Sequence, residues 1–328
     1  ILADGPLDLV DISDQVRKVS TRRGRNRLLA QFESGSATIT LNDPNSDFNP
    51  QNAASPYYGK LLPLRKIRIY AVTPFLGDDV EINLFSGYIT SYDTSFYQGT
   101  TQDATVTLRC VDGFRLLSNV STEIPPVPGC PAGQDSGSRV AALLNWADFP
   151  SSMWDLQEGN STMQADPGGA RSILAAVQTV EQSEFGAFYM TRSGKARFLD
   201  RNVVSILADV TPRYYTDTSA PGSLQYASID FAYDDQLILN DVTVTRNNDG
   251  VGPALPQNWD NAASKLKFFT KSGQRLDLLM LNDSESLDQA LTILSARKDA
   301  KLRVNSMTVD LLAPVSEENT KDNLSMDI

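Results

Sequence analysis

The sequence predicts a mainly β protein with an α+β insert, and three observations predict it. Short segments of period-two alternation recur towards both ends of the chain, separated by clusters of Asn, Asp, Pro and Gly. Helical spacing is confined to the middle and to one late segment. A length of 328 residues at 41% hydrophobic content is enough for two or three domains with real cores.

The first strand is marked by Ala37, Ile39 and Leu41 on one face and Thr38 and Thr40 on the other. From Asn42 to Pro50 the chain is rich in side chains that hydrogen-bond nearby backbone or pre-set φ, so it turns around Phe48. Ser55, Pro56, Tyr57, Tyr58 and Gly59 form a second turn, after which Ile67, Ile69 and Ala71 alternate with Lys66, Arg68 and Tyr70. Further strands are expected over Leu84 to Ile89 and over Val106, Leu108 and Cys110, followed by a turn at Val111 to Phe114 before Leu116 and Leu117. Strands so spaced suggest an antiparallel barrel or sandwich.

Pro125, Pro126, Pro128, Gly129, Pro131 and Gly133 read as a linker. Beyond it Val140, Leu143, Leu144 and Ala147 predict a helix with Ser136 or Ser138 as N-cap, and Ile173, Leu174, Val177 and Val180 predict a second after the breaker Asp166 to Gly169. A hairpin is expected from Phe185 to Met190 and Ala196 to Leu199 around the turn at Arg192 to Lys195, closing a small α+β unit near Arg213. Strands return at Ile229, Phe231 and Tyr233 and at Val242 and Val244. The last helix begins near Asn282, with Glu285 in capping-box relation and Leu287, Ala290, Leu291 and Leu294 on one face, and leads to a strand with Met307, Val309 and Leu311. The expected division is 1–122, 123–217, 218–312 and a polar arm over 313–328.

The chain contains no histidine, which removes Ser-His-Asp and Cys-His nucleophile systems and His-ligated zinc. Carboxylate chemistry needs only two acids, but among 40 acidic residues some pair always lies at a suitable spacing. Glu181 and Glu184, one turn apart, are the nearest candidate, and a solvated helix face is the favoured reading of them. Asp43, Asn45, Asp47 and Asn49 alternate as in a calcium loop, yet the sixth and twelfth positions hold Phe48 and Ala54 instead of Gly and Glu, which favours a turn network. Neither Gly24, Gly35 nor the run Gly133 to Ser138 has a phosphate-loop pattern. No cofactor, metal or catalytic residue is expected.

The formal charge of −11 argues against nucleic-acid binding as the main function. Against that background Arg17, Lys18, Arg22, Arg23, Arg25 and Arg27 cluster within eleven residues, with no aromatic interleaving. They read as a subunit-contact patch or a solvated strand edge. Cys110 and Cys130 imply no disulfide framework; Cys110 is expected in a core and Cys130 in an exposed loop. With no apolar run of about 18 residues and no basic-flanked leader, the chain reads as a soluble intracellular product. Its start at Ile1 and its end at Ile328 are read as those of a processed or partial form of a longer one.

Certain of these segments carry a resemblance. RGRNR from Arg25, ATITLNDPNSDFNP from Ala37, SPYYGKLLPLRKIRIYA from Ser55, LFSGYITS from Leu84 and VTLRCVDGFRLLS from Val106 resemble the N-terminal domain of minor tail proteins of the tail-hub class of long-tailed phages, with Leu64 standing where a Gly is often found. LNDVTVTR from Leu239, KSGQR from Lys271 and RVNSMTVDLL from Arg303 are similar to a later hub domain. The resemblance covers roughly half the chain and rests on turn and strand residues. It implies two antiparallel β-barrel, tail-tube-like domains separated by the small α+β domain, and a non-enzymatic structural role in the virion's distal tail. It further implies a homotrimeric ring that closes the tube and opens for ejection. The implied partners are a distal tail protein ring, the tape-measure protein, tail fibre or receptor-binding proteins, and DNA in passage. An acidic wall suits a conduit, because bound phosphate would hold the duplex back. The competing readings are a tail adhesin, with Tyr57, Tyr58, Tyr214 and Tyr215 as its aromatics, and a wall-degrading enzyme using Glu181 and Glu184.

Overall fold

The computed structural model describes residues 9–25, 31–75, 78–95, 104–123, 125–203, 214–218, 223–249 and 252–309. It is mainly β with an α+β insert. The first sheet is built from β1 (Val16–Arg22), β2 (Ser36–Asn42), β3 (Lys66–Phe75), β4 (Asp78–Ser95) and β5 (Thr105–Val111). It is antiparallel in the order β1-β2-β5-β4-β3 and curls into a half-barrel. The 18-residue β4 serves two partners in turn, β3 along Asp78 to Tyr88 and β5 along Tyr88 to Ser95. Register shifts at Ile69/Tyr70 and Ile89/Ser91 supply the local twist that such curling needs. The alternation read from sequence is the burial pattern observed: Ala37, Ile39, Leu41, Val106, Leu108 and Cys110 line one core with Phe48 and Phe85.

Gly87 shows why that core requires a glycine. A Cβ there would lie 2.3 Å from the Val111 carbonyl oxygen of β5 and 2.7 Å from the Phe85 ring. Gly87→Ala is therefore expected to lower stability by about 1–3 kcal/mol through overpacking, more if the β4–β5 ladder has to part. A thermal melt with an unchanged midpoint would contradict this packing.

After β5 the expected turn winds into a helix, α1 (Phe114–Asn119), because Asp112 accepts the Phe114 N–H at 3.0 Å while Phe114 and Leu117 are buried. The insert continues with β6 (Gln134–Asp135), α2 (Ser136–Trp146), β7 (Trp154–Leu156), β8 (Thr162–Met163), α3 (Ile173–Glu184), β9 (Ala187–Met190) and β10 (Ala196–Leu199). The β9–β10 hairpin forms as its turn predicts, and β7 joins β10 in parallel. The N-cap of α2 is Asp135, not Ser136 or Ser138: its carboxylate accepts the Ser138 N–H at 2.7 Å. The proline-rich stretch is not a free linker, since Val127 and Cys130 belong to the central core and the Val127 N–H is taken by Asp166. Prolines bring no N–H to satisfy, which makes such a segment cheap to bury. Cys130 is accordingly buried rather than exposed, and both cysteines are free.

The last part contains β11 (Tyr214–Thr216), β12 (Ser223–Ala232), β13 (Asp241–Arg246), β14 (Gln257–Asp260), α4 (Ala262–Phe268), β15 (Ser272–Leu278), α5 (Asp283–Arg297) and β16 (Arg303–Val309). Two three-stranded sheets result, β11-β12-β16 and β14-β13-β15. β12–β16 and β13–β14 are antiparallel, but β11–β12 and β13–β15 run parallel. The parallel β13–β15 pair is possible because its connection carries β14 and the additional helix α4. α5 buries Ser286, Gln289, Ala290, Ile293 and Leu294, a face rotated from the one read in sequence, and Leu291 is exposed. No side chain caps α5; Glu285 turns instead towards Arg201, 3.8 Å away. Leu311 and the arm over 313–328 lie outside the described residues.

The apolar clusters interlock. The central core takes in Phe32 from before β2 and Leu279 from after β15, and Phe185 packs against the core of the last part. Among the described residues no helix is long and apolar enough to cross a membrane.

Candidate functional site

β1 is an edge strand: among the described residues its only ladder partner is β2, from Val16↔Leu41 to Arg22↔Ser36. All its residues except Val16 are exposed, and Arg17, Lys18 and Arg22 are its only charged side chains. Lysine and arginine on such an edge discourage indiscriminate strand pairing while leaving a charged surface for a chosen partner. Arg22 meets Glu33 at 2.9 Å, but with side chains 68% and 54% exposed the pair contributes about 0–1 kcal/mol. Arg22 therefore remains available to a partner.

The other basic residues do not join that surface. At Gly24 the backbone adopts φ 102°, a conformation glycine reaches without strain, and the chain turns inward. Arg23 donates to the Leu84 carbonyl at 3.3 Å and lines a small cleft beside Asp112. Arg25 lies 4.9 Å over the Phe32 ring, and desolvation lowers its pKa against the opposing pull of Glu181 and Tyr189. Arg27 lies outside the described residues. The six-residue cluster thus resolves into an outward triad, Arg17, Lys18 and Arg22, and an inward pair, Arg23 and Arg25.

The cleft itself is occupied by structural bonding. Asp112 accepts from the Gly35 N–H, the Ser34 hydroxyl and the Phe114 N–H, so it ties the start of β2 to the end of β5. Burial raises its pKa and these bonds oppose the rise.

The Asn42 to Pro50 loop is a turn network, as its sequence suggests. Asp43 is buried and accepts the N–H groups of Asp47 at 2.6 Å and Phe48 at 3.3 Å, Asn52 donates to the Ser46 carbonyl at 2.9 Å, and the Ser55 hydroxyl donates to the Asp47 carbonyl. Phe48 is thereby delivered into the first core, where Tyr57 stands 5.2 Å from it. That commits Tyr57 to packing, while Tyr58 and Tyr214 are exposed and Tyr215 is half-buried.

Glu181 and Glu184 overturn the reading of a solvated helix face, because both are buried on α3. Their surroundings differ. Glu184 accepts on one oxygen from Ser136 Oγ and the N–H groups of Asn160 and Ser161, and on the other from the Arg201 backbone N–H and Nε. Glu181 accepts only the Phe188 N–H, at 3.0 Å, and its other oxygen has no hydrogen bond. Nothing in the local sequence signals the burial of Glu184, since the groups that donate to it come from distant segments.

No family model matches the chain, and no curated protein matches it. Among solved structures it is similar to the tail protein from Neisseria meningitidis MC58, at 12% identity and TM-score 0.48, covering 85% of this chain and 75% of that one. It is also similar to the 43 kDa tail protein of prophage MuSo2 from Shewanella oneidensis, at 10% identity and TM-score 0.42, covering 84% and 72%. A third similarity is to the prophage tail protein gp18 from Listeria monocytogenes, at 9% identity and TM-score 0.41, covering 81% and 66%.

Proposed function

We propose that the chain is a structural tail-hub subunit of a long phage tail, a homotrimer whose ring closes the tail tube and opens for tape measure and DNA. The observation that carries this reading is where the residues shared with the tail-hub class fall. Asp43, Phe48, Ser55, Tyr57, Gly87 and Asp112 are the residues that organise the first sheet, its long loop and its close β4–β5 approach. Their shared pattern is thus a pattern of architecture. The division at 122/123, 217/218 and 312/313 belongs to the same proposal, as do a distal tail ring, tape-measure protein and fibres as neighbours.

In this reading Arg17, Lys18 and Arg22 face an acidic surface of a neighbouring subunit, which a chain of net charge −11 readily provides. Native mass spectrometry and imaging of the purified chain test it. A trimer with ring-shaped particles is expected, and the triple variant Arg17→Glu, Lys18→Glu, Arg22→Glu is expected to stay folded but lose the ring. A chain that stays monomeric at high concentration and ignores a distal tail protein would overturn the hub reading. Normal rings from the triple variant would remove β1 from the contact.

A further inference from the structure

Glu181 is the one carboxylate of α3 whose burial has no compensating ion pair. It is 4% exposed, and one of its oxygens has no hydrogen bond. Elements from three parts of the chain enclose it. The segment after β1 brings Arg25, stacked on Phe32, which itself stacks on Tyr189 of β9 at 4.8 Å. β15 brings Arg275, held 5.1 Å over the ring of Phe185. α3 itself supplies Glu181 and, one turn on, Glu184, which is already satisfied by Arg201. The charged and titratable groups facing Glu181 are thus Arg25 and Arg275, with Tyr189 behind the first and Arg297 of α5 behind the second.

The same surroundings join the flanking parts to the insert. Gln31 donates to the Gln178 carbonyl at 3.4 Å, and the Leu279 N–H donates to Ser183 Oγ at 2.8 Å, so α3 is the surface on which both flanking segments dock. Undocking either segment would let water reach the bare oxygen of Glu181.

We propose that Glu181 is a proton-linked latch: docking of residues 23–25 and 31–33 and of β15 onto α3 takes up a proton at Glu181, and this junction loosens as pH rises towards neutrality. Burial pushes the Glu181 carboxyl up to about 7 from its ordinary 4.5, and the Phe188 N–H, Arg25 and Arg275 only partly oppose the rise. The direction follows from proton linkage. Below 4.5 docked and undocked forms both hold the proton and the junction is at full strength. Between the two values only the docked form holds it, so docking weakens by up to about tenfold per pH unit. Above about 7 the docked form has also lost it, and the weakening levels off. Two arginines without an ion pair suit this role: they soften the ionised state enough for the fold to survive it, without abolishing the proton preference.

Amide hydrogen exchange on the whole chain tests this, read as protection factors so that the intrinsic pH dependence of exchange cancels. In the parent chain, protection at residues 31–33, at Phe188 and along β15 is expected to fall at least about tenfold between pH 5 and pH 7. In Glu181→Gln, which keeps shape and carries no charge, it is expected to change by less than about twofold over that interval. Arg275→Met, which keeps the stem over Phe185 and removes a nearby cation, is expected to move the midpoint of the fall to higher pH, a shift that a purely packing role would not produce. An equal fall in Glu181→Gln, no fall in the parent chain, or an unmoved midpoint in Arg275→Met would overturn the proposal. The readout is intramolecular and independent of ring formation.

Discussion

Glu184→Ala is expected to destabilise the chain by about 3–5 kcal/mol, the cost of breaking a buried, hydrogen-bonded charge pair from one side. Glu184 is fully buried, and it gathers Ser136 at the start of α2, the backbone at Asn160 and Ser161, and Arg201 beyond β10. Alanine leaves three backbone N–H groups, those of Asn160, Ser161 and Arg201, and the Arg201 Nε without this acceptor. Glu184→Gln keeps the volume but aims an NH₂ at donors, so an intermediate loss is expected. Equilibrium urea unfolding measures both variants, and an alanine variant within about 1 kcal/mol of the parent would show that the network is dispensable.

Arg139→Ala is expected to be of similar size, on the order of 3–5 kcal/mol, because it leaves three buried or partly buried acceptors without their donor, and to leave a chemical trace. Arg139 is fully buried in α2 and donates from Nε to Gln134 Oε1 at 2.7 Å and from Nη2 to the carbonyls of Pro131 and Gln164 at 2.8 and 2.7 Å. These bonds hold the proline-rich segment over the central core, into which its Cys130 is buried. Burial raises the Cys130 pKa, which keeps the thiol unreactive. Removing the guanidinium should lower the unfolding midpoint and, by freeing the segment to open to solvent, speed labelling of Cys130 by a thiol reagent, while Cys110, pushed up to about 12 in the first core, stays protected. Slow labelling of Cys130 in the variant would mean that the segment is held by its apolar contacts alone.

The two networks mark the boundary of what the sequence made legible. Ala37, Ile39 and Leu41, the β9–β10 hairpin and the apolar stripe of α3 were readable because burial there follows a local period. Glu184 was not, because its charge is buried on the strength of partners up to 48 residues away, and Glu181 was not, because Arg25 and Arg275, which flank it, come from far along the chain. The inward turn of Arg23 and Arg25 was hidden for a related reason. A run of basic residues has no period, and its change of direction depends on one glycine's φ. In α5 the periodic stripe was present but misplaced, since Ser286 and Gln289 are buried and Gln289 meets the insert, donating to the Gln182 carbonyl. For the candidate surface, charge was legible and orientation was not.

The interlocked cores bear on how this chain is made. Phe188 and Phe198 leave the ribosome about 80 residues before Leu279, which belongs to the same central cluster. At the usual synthesis rate of about 5–20 residues per second the insert waits roughly 4–16 seconds for that residue. During this interval the nascent insert presents an unfinished apolar surface, and any chaperone that attends the chain has that interval in which to act.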